Sequence, residues 1–174
     1  MAEFVPRLTS DGIYGNYWWY STGNIYYPAN QMPNCTCYCY GRWGEIRGAF
    51  ADLPGYDAKY WFDAATNFER GTVPQLGAVA CYGYDGTEYA GHVAIVEVIN
   101  EDGSIVLSNS GYPSSFFWTE TVRPERGWLE DYMIPRHYYC QGFIYIDVEP
   151  VPPQPPIPVF GQKKHRLPIW MYGI

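Results

Sequence analysis

Positive charge is scarce in this chain. Eleven Lys and Arg stand against 18 Asp and Glu in 174 residues, a formal net charge of -7. That balance argues against a protein held to nucleic acid by phosphate contacts. No apolar run approaches the roughly 20 residues of a membrane span, so no membrane span is predicted. Internal repeats are missing too, which excludes solenoids and propellers. Metal-ligand spacing is absent: Cys35-Thr36-Cys37-Tyr38-Cys39 is not a C-x2-C knuckle, and no Cys/His pair follows at finger spacing. No metal site is therefore expected. The cysteines number five, an odd count with three crowded together. That fits a reduced protein better than a disulfide scaffold, with a single Cys81–Cys140 bridge left open. Met1 to Gly12 show no apolar h-region and no small-residue cleavage site, so no signal peptide is expected.

What is present points to a globular body. Hydrophobic residues make up 47% and charged ones 17%, enough to bury a core in one domain. Aromatics are heavy at 19%, with 18 Tyr and 7 Trp, and many sit in turn-rich segments such as Tyr14 to Tyr20. They read either as a stacking surface for sugars or peptides, or as loop residues packed on the body with wet hydroxyls. The second reading is favoured.

Residues 1–33 read as irregular, because Gly and Pro punctuate them and no period persists. Asn34 is a favoured N-cap, and a helix is predicted from Cys35 to about Arg47. A second is predicted from Asp57 to Asn67, where Ala58, Trp61, Phe62 and Ala65 recur at helical spacing. Strands are predicted at 78–82, 92–99, 104–110, 116–122 and 142–148, with a hairpin around Asp102-Gly103. Helices first and an antiparallel sheet after them make an α+β class. The expected division is a body over residues 1–149 and a tail over 150–174. The tail is a polyproline spacer followed by a short basic and apolar end. That end either grips an anionic polymer or folds back on the same domain or a neighbouring copy.

The candidate chemistry starts at Cys35. In the first turn of a helix, the dipole favours a thiolate, the nucleophilic form of cysteine. A thiol nucleophile needs a base and a group to orient that base. Of the three histidines, His165 lies in the tail and His137 in a predicted loop, whereas His92 opens the strongest predicted strand. Side chains alternate along a strand, so His92, Ala94 and Val96 share a face. If Asn100–Gly103 is the hairpin loop, Ala94 opposes Asn109, and Asn109 is a diagonal neighbour of His92. Glu97 and Ser108 then point to the other face. A tighter turn slides Asn109 out of reach, so this pairing depends on register.

Pro33-Asn34-Cys35-Thr36, with Tyr38 and Gly41-Arg42-Trp43, resembles the nucleophile helix of the CHAP family of cysteine amidohydrolases and peptidases. Pro74 to Ala80 and Gly91 to Glu97 resemble that family's first core strands, and Ile105 to Tyr112 the strand that supplies its third polar residue. The likeness runs over roughly residues 30–148. It implies a papain-like fold, N-terminal helices on an antiparallel sheet, and hydrolysis of an amide bond in bacterial peptidoglycan by an endopeptidase or N-acetylmuramoyl-L-alanine amidase. By the resemblance Cys35 is the nucleophile, His92 the general base and Asn109 the orienting residue. Many relatives carry an acidic residue at the third position, where this chain has the papain-type Asn. Some phage relatives bind calcium through aspartates just before the nucleophile. Here that segment offers only Asp11, so neither calcium nor another cofactor is expected. Gln31 is a candidate oxyanion donor, equally readable as a solvated loop residue. The implied setting is a phage endolysin or virion-associated lysin, made in the host cytoplasm and acting on the wall after release or from a virion. Two alternatives stand beside it: a non-catalytic wall-binding or structural virion module, and a cysteine amidase acting on another peptide-like substrate.

Overall fold

The structure, a computed structural model, describes residues 4–84, 89–123 and 138–147. The expected tail and His137 lie outside the described residues.

The first regular element is a single helical turn, α1 (Tyr17–Tyr20), capped by the Asn16 side chain. It falls inside the segment read as irregular, because four residues are too few to show a period. The next helix, α2 (Cys35–Arg47), has the predicted bounds. Asn34 Oδ1 accepts the Thr36 and Cys37 N–H groups at 3.0 and 3.2 Å, which satisfies two orphan donors of the first turn. Gly48 ends the helix at φ 70°, the left-handed C-cap that glycine adopts without strain. This helix is not amphipathic: every residue from Thr36 to Gly44 is buried. It lies between the sheet and the aromatic N-terminal segment. A Cβ at Gly41 would come within 2.5 Å of the Trp19 indole, so glycine is what lets α1 close on α2. Trp19 Nε1 then donates to Tyr38 O at 3.0 Å.

The predicted second helix is shorter and broken. A 3-10 turn (Ala58–Tyr60) leads into α3 (Trp61–Ala64). Its backbone is committed elsewhere: Lys59 N donates to Ala90 O at 2.8 Å, and Lys59 O accepts Gln141 Nε2 at 3.0 Å. The segment before β3 and the β6 side chain Gln141 thus take up the Lys59 backbone.

Six strands form one antiparallel sheet: β1 (Arg70–Gly71), β2 (Val79–Tyr84), β3 (His92–Ile99), β4 (Ile105–Gly111), β5 (Ser115–Val122) and β6 (Tyr138–Ile144), in the order β1-β6-β2-β3-β4-β5. The architecture is α+β, as expected. β6 sits about four residues earlier than predicted. Gly142 lies inside it at φ 134°, opposite Cys81 at a bulge, rather than at its start. Val79, Cys81, Val93 and Ile95 join α2 in one core cluster, while Ala78, Ala80, Tyr82, Ala94 and Val96 form a second with Ile105, Leu107 and Phe143. Cys81 opposes Gly142, and Tyr82 opposes Cys140; all five cysteines are free thiols, so the open Cys81–Cys140 bridge is not formed.

The β3–β4 hairpin corrects the predicted register at its tip. Ile99 pairs with Ile105, not Ser104, so the loop is one residue longer. A β-bulge between Val96 and Val98 takes up the extra residue, and Ile95 pairs with Ser108 as the four-residue loop would have placed it.

Candidate active site

Cys35 opens α2 and is partly buried. The backbone N–H groups of Val93, Thr36 and Cys35 itself face its thiol. Val93 is the residue after His92, so the helix end meets the sheet where β3 begins. His92 is 4% exposed and Asn109 fully buried. The two side chains meet: His92 Nε2 lies 3.1 Å from Asn109 Oδ1. An amide oxygen only accepts, so Nε2 carries the proton and the Nδ1 lone pair is left as the acceptor. Asn109 Nδ2 donates to Leu107 O at 3.3 Å, which fixes the amide with its oxygen toward the ring. Among the described residues, no direct hydrogen bond joins Cys35 to His92.

Burial decides the resting protonation of both groups. It pushes the Cys35 thiol from 9.0 up to about 11, and the three backbone N–H groups only partly oppose it. A rise of that size is roughly 3 kcal/mol, whereas a helix terminus supplies at most about 2 kcal/mol. The dipole-stabilised thiolate expected from helix position is therefore not the resting form. Burial likewise lowers His92 from 6.5 to about 4, and its hydrogen bond to Asn109 raises it only slightly in return. Between these values the resting pair is a neutral thiol and a neutral imidazole. The sign for stability follows. The unfolded chain binds a proton near pH 6.5 that the folded chain refuses until about pH 4. The stability tied to a neutral His92 is full above pH 6.5 and lost as pH falls toward 4. Melting temperatures across that window are expected to drop in wild type and to drop less in His92→Gln. Equal slopes would show that His92 is not held neutral by burial.

Cys37 and Cys39 differ from Cys35: both are fully buried, so they are core residues. Gln31 is exposed. The Asn34 cap serves Thr36 and Cys37 and leaves the N–H of Cys35, the donor expected beside Gln31, facing its own thiol. Glu97 points to the helix side, away from His92. It accepts Arg42 Nε at 3.0 Å, Arg42 Nη2 at 2.8 Å and Ser108 Oγ at 2.7 Å. Two neighbours of the His92–Asn109 pair were not found from sequence. Tyr82 pairs across β2–β3 with His92, and Trp118 pairs across β4–β5 with Asn109. Only the pairing of four strands brings them together. No group of three or more His, Cys, Asp or Glu that could hold a metal occurs among the described residues.

The structure thus holds a buried Asn109–His92 pair at the start of β3 and a cysteine at a helix N-terminus whose thiol faces the N–H of Val93, the residue after His92. The CHAP domain family matches residues 13–111, more than half of the chain, and the chain belongs to that family. The matched span begins earlier than the likeness read from sequence and contains Cys35, His92 and Asn109. Among solved structures, an N-acetylmuramoyl-L-alanine amidase from Staphylococcus aureus is similar, at 26% identity and a TM-score of 0.45 over 65% of this chain. The chain spans about a third of that amidase, 32% of its length.

Proposed function

We propose that this protein hydrolyses an amide bond of bacterial peptidoglycan, with Cys35 as nucleophile, His92 as general base and Asn109 as the residue that orients it. The observation that carries the reading is the 3.1 Å contact between His92 Nε2 and Asn109 Oδ1, one residue from the N–H of Val93 that faces the Cys35 thiol. Family membership supports the substrate class.

The chemistry runs as acyl transfer. His92 Nδ1 takes the thiol proton as sulfur attacks the amide carbonyl, and the carbonyl oxygen gains the negative charge. The N–H of Cys35 is placed to donate to that oxygen. Collapse of the intermediate breaks the C–N bond, and the imidazolium gives its proton to the leaving amine. Water, deprotonated by His92, then attacks the thioester and releases the acid and the free thiol. A neutral resting pair means that thiolate forms during attack rather than before it.

The test is digestion of purified murein, with mass spectrometry of the products and soluble peptides as controls. New amine and carboxylate ends in murein, absent with Cys35→Ala, are expected; the masses also separate muramoyl–alanine cleavage from cleavage within the stem or cross-bridge. Cleavage of the soluble peptides alone would overturn the substrate assignment. Activity on murein is expected to survive EDTA, because no step above uses a metal. Loss on chelation that calcium or zinc restores would contradict this. The acid limb of kcat/KM should fall well below the ordinary imidazole value, toward 4, since only a protonated His92 fails as base. An acid limb at 6.5 or above would place His92 in a wetter site than the one described. The setting we propose is a phage endolysin or virion-associated lysin. Immunodetection in infected-cell lysate but not in washed virions would point to the endolysin; detection in both would point to the virion-borne enzyme.

A further inference from the structure

We propose that Trp118 and Tyr82 are positioning residues that flank the His92 ring, hold it toward Asn109 and keep water from the bond between them. This rests on the reading of His92 as the base. In the strand order β2-β3-β4-β5, Tyr82 approaches from one side of His92 and Trp118 from the other. The Trp118 indole is stacked on the imidazole, with ring centroids 5.9 Å apart and planes 19° apart. Its cross-strand partner is Asn109, so the indole reaches the base past the residue that orients it. The Tyr82 ring lies 6.2 Å from His92 at a tilt of 35°.

Two details describe how the rings are seated. Gly111 supports the indole: a Cβ at that position would stand 3.1 Å from Trp118 Cη2, tighter than ordinary contact. Gly111 pairs with Ser115 just beyond a bulge after Asn109, so the strand that carries Asn109 also seats the indole. Tyr82 is fully buried, and its hydroxyl has no hydrogen-bond partner among the described residues. A buried orphan hydroxyl is unfavourable, so the ring's position is retained against that cost.

The electrostatic surroundings leave burial as the main influence on the base. Among the described residues, the titratable group whose ring faces His92 is the Tyr82 phenol on β2. Cys140 on β6, Cys81 on β2 and Glu120 on β5 act on Tyr82. None of them is a cause of the His92 shift, which comes from burial first and the Asn109 bond second. The Trp118 and Tyr82 rings on two sides contribute to that burial. Removing one wall would let water reach the imidazole and loosen its orientation together.

The experiment is an NMR titration of the His92 imidazole in Trp118→Leu, Trp118→Phe and Gly111→Ala, with kcat and KM on murein fragments. In Trp118→Leu the imidazole is expected to titrate upward from about 4 toward 6.5. Its kcat should fall roughly 10- to 100-fold, as for a misplaced catalytic group, with KM within about twofold. Trp118→Phe, which keeps a stacking face, should recover most of both. Gly111→Ala leaves the indole intact but crowds it, and should raise the titration in the same direction by less; it keeps the test available if Trp118→Leu does not fold. A folded variant whose His92 still titrates near 4 with unchanged kcat would overturn the proposal, as would a Phe variant no better than Leu. The titration needs no substrate. An upward shift in a protein inert on murein would retain the flanking role and remove the murein reading, while murein cleavage with an unmoved His92 would do the reverse.

Discussion

Cys35→Ala is expected to abolish amide cleavage, lowering kcat by about four orders of magnitude or more, as loss of a nucleophile does in enzymes whose site residues act as a unit. The fold should survive, because Cys35 is only partly buried and the Asn34 cap that starts α2 bonds to Thr36 and Cys37. Cys37→Ala and Cys39→Ala should behave in the opposite way. Both side chains are fully buried within the main core cluster, and removing a buried sulfur leaves a void. Each is expected to keep measurable activity and to lose about 1 kcal/mol or more of stability. Turbidity clearing of cell walls and thermal melts on the three variants check both orders at once. Activity in Cys35→Ala comparable to wild type would remove the nucleophile assignment. A Cys39 variant more stable than the Cys35 variant would show that the core tolerates the void.

Glu97→Ala is expected to cost the most stability of any single change on the sheet, about 3–5 kcal/mol. Its carboxylate is fully buried and receives hydrogen bonds from Arg42, Ser108 and the Arg7 backbone N–H, the last at 2.8 Å. Arg42 also bonds Glu45 Oε2 at 2.6 Å and Val5 O at 2.6 Å. One buried ionic network therefore ties the N-terminal segment, α2 and β3 together. Without Glu97, the Arg42 guanidinium stays charged in a site that is 5% exposed, with only Glu45 as a counter-charge among the described residues. The double change Arg42→Met with Glu97→Leu removes both charges and should recover much of the loss. Denaturant melts of the single and double variants measure this. A loss below about 1 kcal/mol in Glu97→Ala would mean that water enters and screens the site.

Much of the candidate site was legible in the sequence because its signals are local. A cap at Asn34, a helix from Cys35 to Arg47 and a strand opening at His92 each depend on a few neighbouring residues, and all three have the predicted bounds. Asn109 was reached through a hairpin loop one residue too short, and the bulge near Glu97 restored the pairing at the other end. What stayed hidden depends on distant partners. The start of the second helix is tied to Ala90 and Gln141, which lie 30 residues or more away in sequence. Trp118 shows its role only when β5 is laid beside β4. The charge state of Cys35 was misread because the dipole is visible in a helix prediction, whereas the desolvation that outweighs it depends on what packs around the helix.

The bulge near Glu97 separates two regions of one hairpin that would otherwise move in lockstep. In an unbroken ladder, adding or removing one residue at the tip swaps the two faces along the whole strand. Here the tip, residues 100–104, and the end carrying Ile95 and Ser108 follow registers that differ by one. The side chain at the junction is Glu97, anchored to Arg42 through two nitrogens, so the offset is pinned to the helix that carries the cysteine. The turn and the inner end thus keep registers one residue apart, and the ion pair at the junction is what ties that offset to α2.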